Sequence, residues 1–224
     1  MLAKEPVPGR VKTRLSPPCT PEEAAALAEA ALADTLDAAV ASGADRVVLA
    51  LDGRPGRWCP PGVLVVDQGH GSLADRLERT WSHATGPALQ IGMDTPQLTA
   101  DRLDAAMARL WSYDLDALLG LADDGGWWGL ALRHPVEGCF AGIPTSQDDT
   151  GLRQLARLYQ LGLRTGLLPV DRDVDRWDDA LAVAAEVPDG RFAATVRMVR
   201  ARIGLAAAGR PVRSAIPALV AAAG

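Results

Sequence analysis

The chain has 224 residues, 48% of them hydrophobic, and a formal net charge of −5 at pH 7. This length suits one well-buried α/β domain and is short for two. The acidic balance argues against nucleic-acid or anionic-membrane partners. No window approaches the ~20 apolar residues of a membrane span, and Lys4 and Glu5 interrupt any signal-peptide core. Three cysteines without metal-ligand spacing fit a reducing cytoplasm, where we expect the protein.

Apolar runs and helix-start signals alternate along the chain. A minimal first strand precedes a loop rich in Pro and Gly, and Thr20-Pro21-Glu22-Glu23 then reads as an N-cap, an N1 proline and a capping-box glutamate. That signal opens an Ala-rich helix that ends near Ser42. The remaining predicted elements are, in chain order, strands at 46–51 and 63–67, a helix at 72–84, a strand at 88–93, a helix at 99–111, strands at 115–121 and 127–132, a helix at 151–161, a strand at 166–170, and helices at 177–185 and 191–208.

This alternating order predicts an α/β fold with a mostly parallel central sheet and helices on both faces. We assign residues 1–190 to one α/β domain and 191–224 to a C-terminal helical extension of it, which offers a possible homodimer contact. In such sheets ligands bind at the carboxyl ends of the strands. The polar segments that follow the apolar runs are therefore the candidate site.

The first candidate is the basic loop after the first strand. Arg10, Lys12 and Arg14 alternate directly after Gly9, and Lys4 stands just before. Glycine permits close backbone approach to a ligand, and clustered cations with free backbone N–H groups form a phosphate cradle. The alternative is a solvated basic loop, although in an acidic chain the cluster favours an anion site.

The second candidate is Asp94, which follows the strand at 88–93. A carboxylate at the end of a central strand suits Mg²⁺ or Mn²⁺, with phosphate oxygens completing the coordination shell. Because Asp before Thr-Pro is also good turn chemistry, a turn residue is the alternative.

The third candidate is the segment 121–128, where two acids, two glycines and two indoles follow one another. The acids can orient an acceptor hydroxyl or act as a base, and an indole face can stack on a sugar or base. Strand alternation predicts one indole in the core and the other at the pocket rim. The alternative is an Asp-Gly hairpin turn. The candidates in this segment are Asp123, Asp124, Gly125, Gly126 and Trp127.

Two further segments carry weaker signals. The acids Asp171, Asp173 and Asp175 share one face if their segment is extended, and Asp175 suits either a metal ligand or a helix cap. The Gly-punctuated turn 67–72 offers backbone groups to a base edge. Its candidates are Gln68, Gly69 and, one turn into the next helix, Arg76, against the alternative of a plain connecting loop.

Together these segments resemble the radical-SAM/selenodomain-associated transferase family, which is similar to the GT-A glycosyltransferases and to the nucleotidyltransferases of that fold. The resemblance covers roughly residues 1–185. The motifs, in order, are AKEPVPGRVKTRLSP, TPEEAAALAEAALADTL, QGHGSLADRL, IGMDTPQLT, LADDGGWWGLAL, FAGIP and RDVDRWDDA.

The resemblance implies a nucleotide site with a divalent metal. It implies that Asp94 is the first metal ligand and Asp175 the second acid, and that the basic loop holds phosphates through Lys4, Arg10, Lys12 and Arg14. We expect a metal-dependent transfer of a glycosyl group from a nucleotide-diphosphate sugar to a small-molecule acceptor. The alternatives are nucleotidyl transfer from an NTP, with pyrophosphate leaving, and a non-catalytic nucleotide-binding module.

Overall fold

The computed structural model describes residues 1–145 and 147–207, which form seven strands and six α-helices. The strands are β1 (Leu2–Lys4), β2 (Val48–Asp52), β3 (Leu64–Asp67), β4 (Ala88–Ile91), β5 (Ala117–Ala122), β6 (Trp127–Leu132) and β7 (Thr165–Asp171). The helices are α1 (Pro21–Ala41), α2 (Leu73–Trp81), α3 (Ala100–Ser112), α4 (Thr150–Gln160), α5 (Trp177–Glu186) and α6 (Arg191–Ala207). The strands and helices predicted from sequence are all present, with ends shifted by a few residues. Residues 208–224 of the expected C-terminal extension lie outside the described residues.

The strands form two sheets, in the orders β1-β2-β3 and β4-β6-β5-β7. The pairs β1–β2, β2–β3 and β5–β7 are parallel, whereas β6 runs antiparallel to both β4 and β5. Only four residues join β5 to β6, which is enough for a hairpin and too short for a parallel crossover. The expectation of a mostly parallel sheet therefore holds everywhere except at β6.

Helices cover both faces, as the sequence predicts. Leu118 packs in a core cluster with side chains of α1 and α3, whereas its neighbour Leu119 packs with side chains of α2 and α4. Successive residues of a strand point to opposite faces, so one buried strand supplies both clusters. Residues of β1, β2, β4, β5 and β6 share the first cluster, which joins the two sheets into one core.

A third cluster anchors the C-terminal helices to α1. Phe192 and Val196 of α6 pack with Leu27 of α1, and Val183 of α5 joins them. Within the described ranges, no helix is both long and apolar enough to cross a membrane.

The contact between α6 and α1 includes a buried ion pair. Glu23 is 4% exposed, and its carboxylate accepts from the Arg202 guanidinium, with Nε at 2.8 Å from Oε1. The same carboxylate accepts from the Thr20 backbone N–H, which completes the predicted capping box. One side chain therefore caps α1 and binds α6.

Replacing Arg202 with Met should lower the free energy of unfolding by roughly 3 kcal/mol, because Glu23 would remain buried without its cation. Denaturant unfolding followed by circular dichroism measures this. Arg200→Met, at an exposed position of the same helix, is the matched control and should change stability by less than about 0.5 kcal/mol. Equal effects of the two substitutions would mean that the pair adds nothing beyond helix surface charge.

Candidate functional site

A cleft of about 640 Å³ opens at the carboxyl ends of β4 and β5. The position agrees with the general rule for ligand sites in α/β sheets. One wall is polar and the other, from α2 and the segment around Phe140, is largely apolar. The charged residues that line the cleft are Arg14, Asp94, Asp124, Asp148, Asp173, Asp175 and Arg176, and the aromatic ones are Trp127, Trp128 and Phe140.

The polar wall is built where two chain segments run side by side. Asp94 lies three residues beyond the end of β4, and its backbone carbonyl accepts from the Val174 N–H at 2.9 Å. Val174 itself is buried in the cluster beneath α1. This anchoring places Asp173 and Asp175, on either side of Val174, at the edge of the cleft that Asp94 also lines.

Asp173 carries the most perturbed carboxylate of the cleft. Burial, together with the charges of Asp94 and Asp124, raises its pKa from 3.8 to about 7, and the Lys12 charge offsets part of this. Its Oδ1 atom is buried and has no hydrogen-bond partner among the described residues. A buried carboxylate oxygen without a donor is unusual in a folded protein. Such an atom suits a ligand that brings its own positive charge or proton.

Two cations of the basic loop reach this acidic wall. The Lys12 Nζ atom lies 2.7 Å from Asp94 Oδ2, and the Arg14 Nη1 atom lies 2.7 Å from Asp175 Oδ2. Five carboxylates and the guanidinium groups of Arg14 and Arg176 therefore line the cleft, which leaves an excess of negative charge. Lys12 pairs with Asp94 but does not itself line the cleft.

The expected alternation of the loop is only partly right. Residues Thr13–Leu15 form a short 3-10 helix, and Lys12 before it has a left-handed backbone with φ 47°. Val11 is buried against α1. The chain is therefore not extended here, and Arg10 is exposed and does not line the cleft.

Lys4 and Gly9 also lie outside the cleft lining. Lys4 is exposed at the end of β1, with its backbone N–H 3.3 Å from the Met93 sulfur. Gly9 has φ +75° and open space where a side chain would project. A left-handed φ favours glycine in this turn, which is sufficient reason for the residue without a ligand.

The segment after β5 is a hairpin turn, as the Asp-Gly alternative predicts. The Ala122 N–H donates to the Gly126 carbonyl at 3.0 Å, and the Asp124 carboxylate accepts from the Gly126 N–H at 2.7 Å. Gly125 has φ +90°, and a Cβ there would lie 1.9 Å from the Asp148 carbonyl oxygen. The glycines therefore serve close packing of the turn against the start of α4, and Gly126 also lines the cleft.

The two acids of the turn point to different partners. Asp123 Oδ2 accepts from Arg172 Nε at 2.8 Å, and the residue does not line the cleft. Asp124 is exposed and does line it. The sequence gives the two acids the same candidate role, whereas in the structure Asp124 lines the cleft and Asp123 does not.

The two indoles differ in burial as strand alternation predicts, although both line the cleft. Trp128 is 4% exposed, donates from Nε1 to the Pro169 carbonyl at 3.0 Å, and covers Gly120. Trp127 is half-buried at the cleft and stacks on Phe140, with ring centroids 6.1 Å apart and planes inclined by 21°. Trp127 therefore presents an aromatic surface at the junction of the polar and apolar walls.

The turn after β3 forms a second cavity, of about 470 Å³, lined by Gly69 and Arg76. Gln68 is 2% exposed, and its amide donates to the Ala3 carbonyl at 2.9 Å while accepting from Arg76 at 2.5 Å. The Gln68 side chain is therefore held inside the fold, and the expected contact of the turn's backbone with a base stays a prediction. The Gln68 amide ties β3 to the neighbouring strands, because all its polar atoms have partners inside the fold.

The residues present fit a hard divalent cation only if the substrate supplies ligands. Among the residues that the structure describes, no three His, Cys, Asp or Glu side chains converge closely enough to hold a metal. Mg²⁺ is commonly bound by one or two carboxylates together with substrate phosphates and water. Asp94 and the partnerless oxygen of Asp173 meet that simpler requirement.

Comparison with known proteins gives a family and a fold. Residues 26–147, more than half of the chain, match the family described as "Uncharacterized protein conserved in bacteria (DUF2064)". A search of curated proteins found no match.

Two solved structures show the fold. A protein of Desulfovibrio desulfuricans G20, proposed to be a nucleotide-diphospho-sugar transferase, is 22% identical with a TM-score of 0.79, covering 91% of this chain and 95% of the other. A cytidylyltransferase from Leptospira borgpetersenii serovar Hardjo-bovis (strain JB197) is 12% identical with a TM-score of 0.55, covering 91% and 93%. At these identities the likeness establishes a shared α/β fold and nothing about substrates.

Sequence reasoning missed Asp173 as a site residue and selected Asp175 instead. The signal available was the spacing of Asp171, Asp173 and Asp175, which puts them on one face if the segment is extended. The three acids differ in their ion-pair partners in the structure. Asp171 pairs with Arg102 and Asp175 with Arg14, whereas Asp173 faces other carboxylates.

Asp173→Asn should stabilise the metal-free protein at pH 8, raising its melting temperature by roughly 5 °C. A carboxyl whose folded-state pKa is raised to about 7 stabilises the fold at low pH and loses that contribution as pH rises through 7. The gain should therefore vanish below about pH 4, where aspartate is neutral in both states. Thermal unfolding in EDTA across pH 4–8 checks this, and a gain that does not change with pH would contradict it.

Proposed function

We propose that this chain, which belongs to the DUF2064 family, is a transferase that uses a nucleotide-activated donor with a divalent metal. The reaction we favour is glycosyl transfer from a nucleotide-diphosphate sugar. The observation that carries the proposal is the pairing of two cations of the basic loop with acids that line one cleft at the carboxyl ends of the strands. A diphosphate and a metal together match that mixture of charges.

The donor side of the cleft would be formed by the basic loop and the two acids Asp94 and Asp173. Charge-assisted hydrogen bonds from Lys12 and Arg14 would hold the diphosphate oxygens. Asp94 and Asp173 would hold the metal, which neutralises the charge that develops on a leaving nucleoside diphosphate. Arg14, whose side chain is 62% exposed and pairs with Asp175, would stabilise that charge as it develops.

The acceptor side would be formed by Asp124 and Trp127. In the transfer, the bond between the sugar C1 and the diphosphate oxygen breaks, and a bond from the acceptor oxygen to C1 forms. Asp124 would take the proton of the acceptor hydroxyl, because it lines the cleft and makes no ion pair among the described residues. The Trp127 indole offers a flat face to a sugar ring. Asp123 takes no part, because its carboxylate is held by Arg172.

Nucleotidyl transfer is the second candidate, favoured by the two cations that lie together beside the acids. In that reaction the acceptor oxygen attacks the α-phosphorus of an NTP and pyrophosphate leaves. The same residues would bind a triphosphate in place of a diphosphate. Membership of the radical-SAM/selenodomain-associated transferase family, which the motifs resemble, stays a prediction under either reaction.

A thermal-shift screen separates these reactions. The protein is heated with UDP-, GDP-, ADP- and CDP-sugars and with the four NTPs, each with Mn²⁺ and with EDTA. Stabilisation by a nucleotide sugar that requires Mn²⁺ supports glycosyl transfer, and stabilisation by NTPs alone supports nucleotidyl transfer. Metal-independent binding without turnover would instead identify a non-catalytic nucleotide-binding module. No stabilisation by any nucleotide contradicts the proposal.

Asp94→Asn should weaken Mn²⁺ binding in the presence of the stabilising nucleotide by at least about tenfold, because a hard cation requires the carboxylate charge. Calorimetric titration measures the affinity. Asp123→Asn is the matched control, since it removes a carboxylate of the neighbouring turn that is turned away from the cleft. Unchanged Mn²⁺ affinity in Asp94→Asn would make Asp94 a turn residue only.

A further inference from the structure

We propose that Lys12 is a positioning residue for the metal site, and that it makes binding of the metal depend on binding of the donor. Its ammonium pairs with the Asp94 carboxylate until a diphosphate offers it another anion. The inference rests on the proposed function and adds an order of binding to it.

The first support is the placement of the ammonium. Lys12 Nζ lies 2.7 Å from Asp94 Oδ2, and the Lys12 side chain is only 11% exposed. Lysine is almost never buried to this extent unless it is paired. By contrast, Lys4 and Arg10 of the same loop are exposed, and the Arg14 side chain is 62% exposed. Lys12 is therefore the cation of the loop that the fold directs inward.

The second support is the backbone that directs it there. Lys12 has φ 47° and ψ 39°, a left-handed conformation that is uncommon for a side chain with a Cβ atom. Val11 before it and Leu15 after it are buried, at 6% and 0% exposure, and the Leu15 N–H donates to the Lys12 carbonyl at 2.9 Å. The flanking residues thus fix the strained turn, and strain held by its surroundings is common at functional sites.

The third support is the electrostatic setting of Asp94. Lys12 is its ion-pair partner among the described residues, and Asp94 also interacts with the Asp173 carboxylate. Without Lys12, the two carboxylates would face each other without a close cation and would attract a divalent ion strongly. With Lys12 in place, a metal that arrives alone must compete with an ammonium that is already in contact.

A diphosphate changes that competition. Its oxygens would offer Lys12 a second anionic partner and would also supply ligands to the metal. Each ligand then strengthens binding of the other, and the coupling must be equal in both directions. Lys12 would therefore keep the site from filling with metal alone.

The test is Mn²⁺ binding without nucleotide, measured by calorimetry and by the electron paramagnetic resonance signal of free Mn²⁺. Lys12→Met should bind Mn²⁺ about tenfold more tightly than the wild type or better, because the competing charge is gone. Lys12→Gln, which keeps a hydrogen-bond donor but no charge, should behave similarly and serves if the Met variant fails to fold. Arg10→Met removes the same charge from an exposed position of the loop and should stay within about twofold of the wild type.

Repeating the titrations with UDP, CDP, ADP and GDP in turn measures the coupling. In the wild type, the best of these should strengthen Mn²⁺ binding clearly more than it does in Lys12→Met. Equal or weaker Mn²⁺ affinity of Lys12→Met without nucleotide overturns the inference, as does an equal gain in Arg10→Met, and both leave the proposed function standing. Failure of every protein to bind Mn²⁺ under any condition overturns the inference and the metal dependence together.

Discussion

The contact between the Lys12 ammonium and the Asp94 carboxylate joins the basic loop to the end of β4. Around it the protein collects carboxylates that repel one another, and burial makes the repulsion stronger because the local dielectric is low. The ionised form of Asp173 is disfavoured as a result, and its pKa is raised to about 7. A fold that concentrates like charges at one edge of its sheet gives up stability there, which is common where a ligand of opposite charge is to be bound.

Most of the fold follows from local sequence signals. Buried strands appear as short apolar runs, and the Thr20 capping box marks the start of α1 because the chemistry of both residues is local. The direction of β6 is a different matter. Its antiparallel pairing follows from the short connection at Asp123–Gly126. The alternation of strands and helices along the rest of the chain predicts parallel pairs, but it does not apply to two strands joined without a helix.

The candidate site was predictable by segment and less so by residue. Asp94 and Trp127 were identified because strand ends and strand alternation are regular. The alternation of Arg10 and Lys12 predicts a shared face only if the chain is extended, whereas the buried Val11 and the left-handed backbone of Lys12 turn the chain. Whether Asp173 lies at the site depends on which loop packs against the Asp94 carbonyl. The contact is made by Val174, which is 80 positions away in the sequence. Tertiary packing of that kind has no local signal.

Only part of the polar wall lies within the residues that match the family. The matched residues 26–147 contain Asp94, Asp124 and Trp127, which give a carboxylate at a strand end, a carboxylate in a hairpin and an aromatic face. The two cations and the acid Asp173 come from the chain on either side of this region. A sheet with Asp94 and Asp124 alone would offer separate weak sites for cations. The flanking segments convert it into a cleft with alternating charges, and alternating charges are what a metal-bound diphosphate presents in return.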